Sequence, residues 1–202
     1  MPKVAPELGL APVQLPSLPA AEAEAKAIAP LLKTQAITGG NVTKTAIVAK
    51  LPSSRIVHLA THGLLDDVRG LGSAKLCERA GAIALAPSGK DNGLLTAEEI
   101  LDLKLDADLV VMSACNTGRG QITGDGIIGL SRSWISAGVS SVIVSLWLVP
   151  DESTSTLMTN FYQNMQKDPD KAQALRQAML TTMKQNPNPR DWAAFTLIGE
   201  AE

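Results

Sequence analysis

The chain predicts an α/β fold of three layers, with helices on both faces of a mostly parallel central sheet. Three observations carry this. Short apolar runs rich in β-branched residues alternate with amphipathic helical patterns along the 202 residues. Two of those runs, residues 55–60 and 108–112, stop at groups able to do chemistry: Thr61-His62-Gly63 and Ser113-Ala114-Cys115-Asn116-Thr117-Gly118. A third run, 142–148, is apolar almost throughout and ends before Pro150, as a parallel strand buried on both faces requires.

Residues 1–20 carry five prolines without helical or strand period and read as an extended linker, leaving 21–202 as one α/β domain. Residues 21–33 are alanine-rich, with charges at Glu22, Glu24 and Lys26, and predict a helix. Residues 35–38 form a short candidate strand stopped by Gly39-Gly40, and 43–51 a second helix carrying Ile47 and Val48. Strand 55–60 then delivers His62. The stretch 64–93 is loose, except for residues 82–86, which suit a small hairpin strand. Thr96 with Glu99 is a capping box opening a short helix before strand 108–112. Residues 119–126 read as a polar, glycine-rich loop, and 127–137 as a helix with Ile127, Leu130 and Trp134 on one face. Asp151 is a candidate cap for a helix presenting Leu157, Met158, Phe161, Tyr162 and Met165. Asp170 is one for a helix with Ala172, Leu175, Met179 and Met183, ended by Pro187 and Pro189. Residues 192–198 form the final strand.

Strand ends in an open parallel sheet are rigid platforms for reactive groups. A thiol is only a few per cent thiolate at neutral pH, so a nucleophilic Cys115 needs an imidazole that stabilises the thiolate and later protonates the leaving amine. His62 precedes Cys115 by 53 residues, the histidine-before-cysteine order of caspases. Gly63 leaves a backbone amide clear of a side chain, able to join the Cys115 amide in holding an oxyanion. His58 reads as a satisfied core histidine and not a metal ligand, because i and i+4 on a strand lie about 13 Å apart. Cys77 reads as a bystander thiol, and Trp134, Trp147 and Trp192 as core or groove walls.

Six blocks together resemble a known family, the CHAT domain, a caspase-like peptidase module often attached to tetratricopeptide repeats. They are residues 55–63, 93–100, the cysteine segment, Gly124-Asp125-Gly126, 141–147 and 192–199. The resemblance implies a three-layer caspase-like fold and a cysteine endopeptidase acting on protein substrates, with His62 and Cys115 as catalytic dyad. It implies no metal, nucleotide or other cofactor, and it implies a tetratricopeptide-repeat region as partner, in cis or in trans. Metacaspases, distant relatives, carry an acid two residues before the cysteine that favours cleavage after Arg or Lys. Here that position is Ser113, which leaves the residue preference open. Asp125 either lines the substrate pocket or fixes the turn. CHAT domains also place a core strand before the proline-rich linker, between the 35–38 edge and strand 55–60. The chain begins inside that linker, so the fold is expected to lack its first strand and to be a fragment of a larger repeat protein, unless the edge strand slides inward and pairs directly.

A net charge of −2 and a pI near 5.7 give no electrostatic footprint for nucleic acid or an anionic membrane. Two cysteines cannot build a secreted disulfide framework, and there is no signal peptide, so the cytoplasm is the expected compartment. The competing reading is a non-catalytic interaction module or inactive fragment that keeps the peptidase fold. A small-molecule hydrolase is weaker still, because nothing marks a closed cofactor pocket.

Overall fold

A computed structural model describes residues 3–4, 13–15, 17–64, 81–89, 91–113 and 124–202, with backbone alone at 3–4, 13–14 and 124–127. In chain order the elements are β1 (Lys3–Val4), β2 (Val13–Gln14), α1 (Pro19–Leu31), α2 (Lys44–Val48), β3 (Ile56–Leu59), β4 (Gly63–Leu64), β5 (Ala82–Ala84), β6 (Leu94–Thr96) and α3 (Ala97–Leu101). There follow β7 (Leu109–Met112), α4 (Gly124–Ser136), β8 (Ser141–Ser145), α5 (Asp151–Met165), α6 (Lys171–Gln185), α7 (Pro189–Trp192) and β9 (Phe195–Gly199).

The central sheet has the order β3-β7-β8-β9, parallel except for the last pair. Strand alternation splits its side chains into two cores. Val57, Leu59, Val110, Met112, Val142 and Val144 pack with Ile100 of α3 and with Leu130 and Trp134 of α4. On the other face Leu109, Val111 and Ile143 meet Ile28 of α1, Leu157, Met158, Phe161 and Tyr162 of α5, and Leu175 of α6. This is the α/β three-layer arrangement the sequence predicts. All five residues of β8 are buried, which is why its centre, Val142 to Val144, is apolar without alternation. A second sheet, β4-β5-β6, is antiparallel and stands directly beyond β3.

Local signals place several ends correctly. The Thr96 hydroxyl accepts from Glu99 N at 3.2 Å while the Glu99 carboxylate accepts from Thr96 N at 2.9 Å, the full capping box. Asp170 caps α6 by accepting from Gln173 N at 2.8 Å.

Other expectations are corrected. Residues 35–38 are not a strand: a strand exists only through a partner, and none lies beside them among the described residues. Helix α4 starts at Gly124, so Asp125 belongs to its first turn, where a negative charge suits the helix dipole, and not to a loop. Pro150 and not Asp151 is the N-cap of α5, with Asp151 the first helical residue. On α6 the buried face is Ala174, Leu175, Ala178 and Thr182, with Ala172 outside it. Trp192 ends the short α7, and the last strand begins three residues later. Part of the proline-rich stretch is structured: β1 pairs with β2, and Leu15 is buried against Leu64, Ala82, Ala84 and Leu94.

Candidate active site

The register of β3 on β7 pairs Leu59 with Met112. Adjacent parallel strands run about 4.8 Å apart, so the two chains leave the sheet side by side at the same level. From that level His62 lies three residues on along one chain and Cys115 three residues on along the other. Arg55 and Asp108 tie the opposite ends of the two strands, by an ion pair at 2.6 Å and by Asp108 N donating to Arg55 O at 2.8 Å.

The second sheet holds the His62 end in place. Thr61 Oγ1 donates to Ala84 O at 2.6 Å, and Ala84 N donates to His62 O at 2.9 Å. In an antiparallel pair, successive residues point their backbone groups alternately toward and away from the partner. Since His62 bonds to β5, Gly63, opposite Ile83, turns its N–H away from β5. His62 itself is 2% exposed.

Ser113 follows β7 directly, its N–H donating to Leu59 O at 3.3 Å. It is buried, and among the described residues its hydroxyl has no hydrogen-bond partner. A buried hydroxyl left unpaired costs free energy, so it marks a place where another polar group is wanted. Cys115 and Cys77 lie outside the described residues, as does the side chain of Asp125.

Beneath His62, strand β3 carries a second imidazole in a different setting. His58 Nε2 stands 2.7 Å from Glu24 Oε1, and its Nδ1 stands 3.1 Å from the Tyr162 hydroxyl, which meets the ring edge-on. A carboxylate only accepts, so Nε2 carries the proton and, in the neutral ring, Nδ1 accepts from Tyr162. His58 is thus a satisfied core histidine joining α1, β3 and α5. Burial, and then the charge of Glu24, push the Tyr162 hydroxyl well above its ordinary range. Burial also raises the Asp151 carboxyl, as does the charge of Glu24, while His62 opposes them. The charges of Glu24 and His62 thus act on Asp151 in opposite senses. Sequence reasoning missed Glu24 and Asp151. The signal for Glu24 was present: with Ala21 and Ile28 it follows the i, i+3, i+7 spacing of the buried stripe of α1.

A family model described as the CHAT domain matches residues 5–200. The chain belongs to the CHAT-domain family. Tetratricopeptide repeat protein 28 of Mus musculus is 30% identical over 209 residues, covering 90% of this chain and 8% of that protein. The Homo sapiens protein of the same name is 28% identical over 222 residues with the same coverage. This CHAT domain therefore spans only 8% of the length of these curated relatives. Among solved structures, the Arg-specific cysteine proteinase gingipain R superposes with a TM-score of 0.60 at 12% identity, over 89% of this chain and 41% of that one. The CHAT domain shares the fold of gingipain R, and its matched relatives are named as tetratricopeptide repeat proteins. Among the described residues no helix is long and apolar enough to cross a membrane.

Proposed function

We propose that this CHAT domain is a cysteine endopeptidase acting on protein substrates through Cys115 and His62. The observation that carries the reading is the pairing of Leu59 with Met112, three sequence positions before His62 and Cys115 respectively. The Cys115 thiolate attacks the scissile carbonyl carbon, forming a C–S bond as the carbonyl electrons move onto oxygen. The Gly63 and Cys115 amides donate to that oxyanion. Its collapse breaks the C–N bond, and the His62 imidazolium gives its proton to the departing amine. Water, deprotonated by His62, then cleaves the thioester and restores the thiolate. No metal or nucleotide takes part. Ser113 and Asp125 are assigned to the substrate pocket. Because Ser113 is neutral, the arginine preference named for gingipain R is not extended to this chain. The tetratricopeptide-repeat region, in the same polypeptide or a neighbour, recruits substrate or gates the site, and the compartment is the cytoplasm.

The test needs no substrate. Alkylation of Cys115 and Cys77 is followed against pH by peptide mass spectrometry in the native protein, in urea and in His62→Ala. An apparent Cys115 pKa well below the free-thiol value of about 8.5, lost in urea and in the variant, supports the dyad. Identical behaviour of the two cysteines in every condition overturns it. A second reading, a binding module without turnover, draws on the matched relatives, which are named as tetratricopeptide repeat proteins. Partner capture that survives Cys115→Ala, with no cleavage by either form, favours it.

A further inference from the structure

On β8, Val142 and Val144 join the core under α3 and α4, while Ile143 joins the core under α1, α5 and α6. The alternation of burial continues past the end of the strand. Trp147 and Val149 pack against the same core as Ile143, whereas Leu146 and Leu148 are 44% and 43% exposed. Neither leucine joins a core cluster among the described residues. Six large hydrophobic side chains are exposed among those residues. Leu101, Ile128 and Ile135 lie on helices and Ile37 in the segment before Gly39, so only Leu146 and Leu148 follow a strand that neighbours β7.

Their place in the sheet gives these two residues a meaning that a scattered surface leucine lacks. Strands β7 and β8 are parallel and Met112 pairs with Val144. Leu146 and Leu148 come two and four positions after that level, and Cys115 three positions after it on the neighbouring chain. The leucines therefore stand at the end of the sheet from which the cysteine segment departs, one strand away. The chain that carries them is held. Leu146 N donates to Ala194 O at 2.8 Å, Trp147 Nε1 donates to Arg190 O at 3.2 Å, and Pro150 O accepts from Thr154 N at 3.1 Å. Apolar side chains on a backbone already fixed offer contact area without the cost of ordering a loop.

The chemistry of the face decides what it takes. The helices that follow the segment or bond to it, α5 and α7, pack into the core on the Trp147 side, and Ser113 at the end of β7 is neutral. A charged side chain laid on two leucines would lose its hydration without gaining a partner. An aliphatic or aromatic one would lose nothing. The acyl half of a cleaved substrate stays attached to Cys115 through both steps while the amine half departs, so a wall beside the cysteine strand discriminates most on the acyl half.

We propose that Leu146 and Leu148 form an apolar specificity subsite, and that the substrates are polypeptides with an aliphatic or aromatic side chain at one of the two positions preceding the scissile bond. The inference rests on the peptidase reading and narrows its substrate class.

Labelling of Cys115 by tripeptidyl chloromethyl ketones tests it. The thiolate displaces chloride, a C–S bond replaces the C–Cl bond, and peptide mass spectrometry on the whole chain gives the rate. The reagents carry Leu, Lys or Asp at one of the last two positions and Ala elsewhere, and iodoacetamide, which has no side chain to place, reports the thiolate alone. At one of the two positions the Leu reagent is expected to label Cys115 at least about 10-fold faster than the Lys and Asp reagents. Leu146→Ser and Leu148→Ser each reduce that advantage several-fold, and Leu146→Glu with Leu148→Glu turns the preference toward Lys, all with the iodoacetamide rate unchanged. Equal rates for the three side chains, or a Leu preference that survives every variant, overturns the subsite and leaves the peptidase reading standing where Cys115 still outreacts Cys77 toward iodoacetamide. A parallel fall in the iodoacetamide rate of the Ser variants makes the leucines structural and overturns it as well. If Cys115 reacts as Cys77 does with every reagent, the peptidase reading fails and the subsite with it.

Discussion

The two edges of the central sheet are built differently, and the contrast lies in what stands beside each. At β9 the strand is antiparallel to its neighbour, Phe195 is buried and Thr196, Leu197 and Ile198 are half-buried, so water reaches the outer backbone. The chain just past it is tied down. Ser141 Oγ donates to Glu200 O at 2.6 Å, Lys171 N donates to Ala201 O at 2.7 Å, and the buried Lys171 Nζ reaches the carbonyls of Glu200 and Glu202. At β3 the strand is parallel, its outer groups open into a walled cleft, and its contacts above and below are those of an interior strand. An edge that ends in water is satisfied by water. At β3 the outward-facing Ile56, His58 and Ala60 are half-buried as well, so water reaches both edges and they differ in what stands beside them.

The sharpest way to break this contrast is to loosen the wall that α1 sets beside the β3 edge. Glu24→Ala leaves the His58 Nε2–H without its acceptor in a buried setting, and an orphaned buried donor costs about 1–3 kcal/mol. Urea unfolding monitored by tryptophan fluorescence reads it, and a loss under about 1 kcal/mol would mean that α1 is not anchored to β3 through this pair. Tyr162→Phe keeps the ring packing and removes only the hydroxyl from His58 Nδ1. The expected loss is about 1–3 kcal/mol, measured the same way.

The β9 edge is tested at its end. Gly199 has φ +108°, and a Cβ there would overlap the carbonyl oxygen of Ser140. Gly199→Ala is expected to cost about 1–3 kcal/mol and to speed amide exchange at Ile198 and Glu200 without touching β3. Equal loosening of both edges would show that the sheet responds as one unit.

The smallest effect belongs to the cap of α6, the helix beside β9. The Gln173 backbone N–H holds the Asp170 carboxyl below its ordinary value of 3.8. A lowered acid adds stability that is fully present above its unfolded value and is lost as pH falls through the folded one. Asp170→Ala should therefore melt about 2 °C lower at neutral pH, with the gap closing as the pH drops below 3.8. A gap independent of pH would assign the effect to helix propensity instead of the charged cap.

Much of this was legible from local pattern. Thr96 with Glu99, Asp170 before its helix, the apolar run of β8 and the hydrophobic stripe of α5 are signals whose partners lie within a few residues. Of the site residues, His62 and Ser113 stand just past β3 and β7, and Gly63 begins β4. The assignment of α5's cap to Asp151 failed because the chain fixed Pro150 in the extended turn instead. The candidate strand 35–38 failed because its propensity is local and its partner is not. The Glu24–His58–Tyr162 contact was illegible for the same reason, since it joins three elements separated by 34 and 104 residues.

The sequence by itself determined the alternation of strands and helices, the ends where chemistry collects and the family to which the chain belongs. The first two rest on hydrophobic period, capping and turn chemistry, which act over one element or less, and the family rests on the six matching blocks. Only the tertiary structure decided which strand stands beside which, that Glu24 is buried against His58 and that β3 borders a cleft. Strand order and the pairing of buried charges depend on contacts between residues far apart in the chain, and those are chosen by the packing of whole layers.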